Sequence, residues 1–271
     1  MSQDENSASR FVPPAFGALA VGALVLILVL MYAVNGAWKT DPATKPAPTS
    51  TQPASASVPE KLDPDRFDLS KDSHPPVAES YFDDVLFVGD SVISGLEIYG
   101  IIPQADYLWS VGITPQGACT SEEFPASSGE SVTMLDAMVD RERQPSKIYF
   151  MLGMNGIKWL PPESMISSYA DIIDYAKAAF PQATIYVQSL TPTAEDVYAT
   201  IPGIDKENIG IFNAALRDVA LSKEVYYLDI YSALCNEDGY LPEEVSSDDG
   251  YHFSPSHYQR WYAYLRTHVA R

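Results

Sequence analysis

Cysteine and histidine are scarce in this chain. Cys119 and Cys235 are its only cysteines, and His74, His252, His257 and His268 its only histidines. No two histidines stand at ligand spacing and the cysteines lie far apart, so a metal site finds little support. Basic residues are also few. Seventeen Lys and Arg face 36 Asp and Glu, for a net charge of -19 and a sequence pI near 4.4. Nucleic acid binding needs Lys and Arg to neutralise phosphates, so it is argued against, as is a strongly anionic substrate. The acidic surface is mainly a solubility feature. No internal repeat is visible.

The one long apolar run lies near the N-terminus. Phe16 to Val34 carries no charge. At about 19 residues it approaches the roughly 20 that span a bilayer and exceeds the core of a cleaved signal. Residues 16–36 are therefore expected to be an uncleaved transmembrane signal anchor after a short cytoplasmic segment, 1–15; a cleaved signal is the alternative. The count of positive charges does not decide the orientation: Arg10 precedes the run, and Lys39 and Lys45 follow it. Residues 37–78 read as a linker, because Pro42 to Pro59 is rich in Pro, Ala, Thr and Ser and suits an extended spacer. His74, followed by Pro75-Pro76, belongs to that stretch.

Residues 79–271 alternate between strand and helix patterns. Strands are predicted at Val85–Val88, Tyr107–Val111, Ile148–Leu152, Thr184–Gln188 and Val225–Ile230. Helical stripes run over Ser164–Phe180 and Ile209–Leu221, and a last helix over Ser254–Val269. Ser254 and Pro255 supply its cap and first position, so His257 falls in its first turn. His268 falls in its last turn, where a cation suits the helix C-terminus. Such alternation implies a parallel sheet covered on both faces, here a five-stranded, three-layer, flavodoxin-like α/β sandwich with its ligand site at the C-terminal strand edge.

Four groups of residues at that edge carry chemistry. Val85-Leu86-Phe87-Val88-Gly89-Asp90-Ser91 ends a buried strand on a serine that opens a helix, beside backbone N–H groups able to hold an oxyanion. Asp249-Gly250-Tyr251-His252 sets a carboxylate three residues before a histidine, close enough to fold back and fix its tautomer. Asn155, in Leu152-Gly153-Met154-Asn155-Gly156, offers an amide at a strand end. Gly112 offers an N–H that no side chain screens, and Gly117 is the alternative glycine five positions on.

This order of Gly-Asp-Ser, Gly, Gly-x-Asn and Asp-x-x-His resembles the SGNH hydrolases, or GDSL esterase/lipase family, from about Tyr81 to the C-terminus. The resemblance implies Ser91 as nucleophile, His252 as base and Asp249 as the residue that orients it. It implies an oxyanion hole of the Ser91 N–H, the Gly112 N–H and the Asn155 amide, with no cofactor. Two positions depart from the family pattern: Gly156 stands where Asp often follows the asparagine, and Val92 stands where leucine is the fourth residue of the nucleophile block. Loops at the same edge, around Lys158–Pro162, Thr191–Asp205 and Asn236–Asp248, would set specificity. Trp159 is a candidate to stack on a sugar ring, or else a packing residue.

The expected protein is thus a single-pass cell-membrane serine esterase with its domain outside the cell, acting on small esters or acylated glycans, acetyl foremost. An O-acyltransferase with the same triad and a non-catalytic surface binding domain are the alternatives. Cys119 and Cys235 would both emerge at the C-terminal strand edge, where they either form a disulfide or remain two unpaired buried thiols.

Overall fold

The strand written Val85-Leu86-Phe87-Val88-Gly89 has no exposed residue, because it is an interior strand of a parallel sheet whose two faces are covered. In the computed structural model of the protein the described residues are 63–197, 201 and 203–271. Seven strands occur among them: β1 (Val85–Gly89), β2 (Asp106–Trp109), β3 (Phe124–Pro125), β4 (Ser131–Val132), β5 (Lys147–Met151), β6 (Thr184–Gln188) and β7 (Tyr226–Leu228). Five of them form the main sheet in the order β2-β1-β5-β6-β7, with every pairing parallel. The edge strand β2 is half-buried throughout. The remaining two, β3 and β4, make a small antiparallel pair that strand patterning does not reveal.

Among the described residues the α-helices are α1 (Ser91–Ile98), α2 (Pro115–Thr120), α3 (Met134–Val139), α4 (Pro162–Ala179), α5 (Lys206–Ser222), α6 (Ile230–Leu234) and α7 (Pro255–Thr267). Side-chain carboxylates or hydroxyls of Asp90, Thr114, Thr133, Asp205 and Asp229 cap five of them, meeting backbone N–H groups that the first turn leaves unpaired. The strand order runs outward in one direction from β1 to β2 and in the other through β5, β6 and β7. Right-handed crossovers then put α1 on one face and α4 and α5 on the other. In keeping with this, α7 packs with α6 and α1, while α4 packs with α2, α3 and α5. The expected α/β sandwich with a five-stranded parallel sheet is therefore observed.

The predicted transmembrane segment, residues 16–36, lies outside the described residues, as does the spacer up to residue 62. No helix among the described residues is long and apolar enough to cross a membrane. The linker expected to run to residue 78 ends sooner. From Asp63 the chain forms short 3-10 turns at Pro64–Phe67 and Leu69–Lys71. Phe67 and Leu69 are buried in the core, and Asp68 holds Arg217 of α5 at 2.7 Å. Farther on, the N–H groups of His74 and Val77 donate to the carbonyls of Thr267 and Arg266, each at 2.8 Å. Proline-rich composition masked two apolar anchors and a carboxylate.

Cys119 and Cys235 are both free thiols, so the disulfide is not formed. Cys119 ends up on α2 beyond β2, and Cys235 caps α6 beyond β7. Both follow strand C-termini, as expected, but β2 and β7 are the two opposite edges of the sheet. Four strand spacings of about 4.8 Å separate such positions, well past the Cα separation a disulfide spans.

Candidate active site

The reversal of strand order leaves a crevice between the C-terminal ends of β1 and β5, the ligand position in doubly wound sheets. Gly89 of β1 lies in register with Met151 of β5 and Trp109 of β2, so the residues just beyond these three converge. Ser91 is the first residue of α1. Its Oγ lies 3.0 Å from His252 Nε2. His252 Nδ1 lies 2.6 Å from Asp249 Oδ2. Three side chains separated by some 160 residues of sequence thus form one continuous relay.

The loop that presents Asp249 and His252 is built around the carboxylate. Asp249 Oδ1 accepts from the N–H groups of Tyr251, at 3.1 Å, and of His252, at 3.0 Å. Burial raises the Asp249 carboxyl, but these N–H donors and the His252 ring outweigh it and hold the group below the usual carboxylate range. It therefore stays ionised beside the imidazole. Within the same loop, Tyr251 packs on the His252 ring with centroids 4.6 Å apart.

Asp90 is the residue that sequence reasoning passed over. It is 1% exposed. Its Oδ1 accepts the Val92 N–H at 3.0 Å and so caps α1; its Oδ2 accepts the Asn155 amide at 3.3 Å. Burial pushes the Asp90 carboxyl up to about 6, against the pull of the Val92 N–H and of His252. An aspartate just ahead of a helix is a readable cap signal, but its second partner is 65 positions away. The Asn155 amide also donates to the Ile113 carbonyl at 3.2 Å. Asn155 is therefore tied both to the residue before Ser91 and to the residue after Gly112. Gly112, exposed and with φ +80, has open space where a Cβ would stand. The alternative, Gly117, lies inside α2 with its N–H donated to Thr114 Oγ1 at 3.0 Å.

The sequence profile of the GDSL-like Lipase/Acylhydrolase family matches residues 87–260. That span contains the whole relay. The chain belongs to this family. No curated protein matches it. Among solved structures, it is similar to a candidate platelet activating factor from Streptococcus pneumonia, at 18% identity and TM-score 0.55 over 69% of this chain and 87% of that one. It is also similar to a GDSL-like lipase from Bacteroides thetaiotaomicron, at 14% identity and TM-score 0.51 over 70% and 89%. These likenesses speak to the fold; the family match makes the chain a GDSL-type serine ester hydrolase.

One departure from the common GDSL pattern has a packing reason. A Cβ at Gly156 would stand 2.5 Å from Met165 Sδ of α4 and 3.2 Å from Leu160 Cδ1, so an aspartate there would require the buried Met165 side chain to move. Trp159, the candidate sugar platform, is 75% exposed. It carries Lys158 Nζ 5.1 Å from its ring and takes no part in the cleft lined by Ser91 and His252. His257 is structural: it is 4% exposed, with Nε2 2.9 Å from the Leu234 carbonyl. Burial lowers its basicity. Among the described residues, no group of three or more His, Cys, Asp or Glu is arranged to hold a metal ion.

Proposed function

We propose that the protein is a membrane-anchored esterase working outside the cell, removing small acyl groups, acetyl foremost, from a carbohydrate or cell-wall glycan. In this reading Ser91 attacks the ester carbonyl, His252 takes its proton, and Asp249 holds the imidazole in the right tautomer and stabilises the imidazolium. His252 then gives the proton to the departing alcohol, and water releases the acyl group from Ser91 by the same steps in reverse. The observation that carries the reading is the relay itself: 2.6 Å from carboxylate to imidazole and 3.0 Å from imidazole to hydroxyl.

The oxyanion would be met by the N–H groups of Ser91 and Gly112 and by the Asn155 amide. Both amide hydrogens of Asn155 have partners. The bond to Asp90 is charge-assisted and the one to the Ile113 carbonyl is not, so the latter is the one exchanged for the oxyanion. The half-exposed relay gives water access to the acyl-serine, which favours hydrolysis over transfer. The placement outside the cell is supported by the uncharged run Phe16 to Val34 and the Pro/Ala/Thr/Ser-rich segment after it.

A chromogenic acetyl ester tests the activity, and added methyl glycoside tests the acceptor. The expected result is free acetate as the main product, with protease added to intact cells removing the domain. A folded protein that turns over no acetyl ester would overturn the proposal; acetylated glycoside as the main product would make the protein a transferase.

A further inference from the structure

The geometry points to a second specificity element: a cleft between α1 and α7 that receives the leaving alcohol of the ester, and that fits a neutral, ring-sized alcohol. This rests on the esterase reading and deepens it.

The cleft measures about 190 Å³ and opens beside Ser91 and His252. Its remaining walls come from Ile98 and Tyr99 at the end of α1 and from Phe253 and Tyr258. None of the oxyanion candidates beyond Ser91 lines it; Asn155 is held instead to Asp90 and to the Ile113 carbonyl that follows Gly112. That asymmetry assigns its occupant. In the tetrahedral intermediate the carbonyl oxygen must point toward the amide donors, and the oxygen that leaves must be within reach of the His252 proton. A cavity that shares His252 and excludes those donors therefore receives the group attached to the leaving oxygen.

The lining fixes the chemistry of that group. Apart from His252, none of the lining side chains carries a charge, so a phosphate or quaternary ammonium head group meets no counter-charge. Ile98 is 64% exposed and Tyr99 47% exposed. Apolar side chains this open, on the rim of a catalytic cleft, are surface that a ligand can cover. Tyr99 packs toward Tyr258 with ring centroids 5.5 Å apart, and Tyr258 toward Phe253 at 4.2 Å. Tyr258 and Phe253 are each 1% exposed and back the open Tyr99 ring, which with Ile98 is the surface left for the apolar face of a sugar or alicyclic ring. Gly95 lets the Tyr258 ring close the back of the cleft against α1: a Cβ there would overlap the ring, which is pinned by its hydroxyl donating to the Val92 carbonyl at 2.9 Å. The volume equals that of about six water molecules, enough for one ring and too small for a drug-sized ligand.

The test varies each half of the ester separately. One series keeps acetate and changes the alcohol from ethanol to cyclohexanol to a methyl glycoside; the other keeps ethanol and lengthens the acyl chain. Native protein should prefer the ring alcohols. In the double variant Ile98→Ser/Tyr99→Ala, the ring-to-ethyl ratio of kcat/KM should fall by about tenfold, the scale of a lost apolar pocket contact. The acyl-length profile should keep its shape, because the acyl chain does not occupy this cleft. Melting temperature confirms folding; if the double variant does not fold, Ile98→Ser alone should move the ratio the same way. An unchanged ratio, or an effect that follows acyl length, would overturn the assignment. Native protein inactive on every acetate would sink the esterase reading itself.

Discussion

Replacing Asp249 with asparagine should cost far more activity than its one-atom change suggests. Asp249 Oδ1 accepts two backbone N–H groups and Oδ2 faces His252 Nδ1. An asparagine has one carbonyl oxygen to share between these duties. Turning that oxygen toward His252 would give up two backbone hydrogen bonds, about 1–3 kcal/mol together. At about 2 kcal/mol, roughly one molecule in thirty would hold the reversed amide. The rest present the NH2 to Nδ1, which must then accept, leaving the imidazole proton on Nε2 and aimed at Ser91. That is the tautomer unable to take a proton from the nucleophile. That population alone costs about thirtyfold, and loss of the carboxylate charge that stabilises the imidazolium adds to it; the same substitution in a well-studied triad costs roughly 10⁴ in turnover, or about 5.5 kcal/mol in the barrier. The assay is kcat on a chromogenic acetyl ester, with melting temperature on the same preparation. A folded Asp249→Asn protein that loses less than about tenfold would show that another group orients His252.

Asn155→Ala should lower kcat by about 10²–10³ with little change in KM, and should also lower the melting temperature, since Asp90 and Ile113 each lose a partner; near-native kcat in the folded variant would remove Asn155 from the site. A chain beginning at residue 79 should be less stable than one beginning at residue 61. Losing the burial of Phe67 and Leu69 costs up to about 3–6 kcal/mol, and equal melting temperatures would show that residues 63–78 contribute nothing. Native protein should titrate as two free thiols, Cys119 the slower because burial pushes it up to about 11; an intact Cys119–Cys235 disulfide would contradict the strand order.

The strands were legible where both faces of the sheet are covered. Val85–Gly89 and Thr184–Gln188 are apolar runs because helices lie on either side. The strand expected to end at Ile230 stops at Leu228 instead. Asp229 accepts the Ser232 N–H at 3.0 Å and starts α6, a cap signal hidden inside an apolar run. Ser91, Asp249 and His252 could be read because each role demands a residue type at a strand end or tight turn, and the structure brings those three together. What could not be read is what depends on lateral strand order: the separation of the two cysteines and the Asp90–Asn155 bond. The alcohol cleft was hidden for a related reason, since Ile98 and Tyr99 look like ordinary helix-end residues until α7 is set beside them.

The account's central claim is that Ser91 is a nucleophile activated by His252. Covalent trapping tests it directly. Protein incubated with a fluorophosphonate and mapped by peptide mass spectrometry should carry a single adduct, on Ser91, with labelling strongly slowed in His252→Ala and absent in Ser91→Ala. An adduct on another residue, or unchanged labelling of a folded His252→Ala protein, would contradict it.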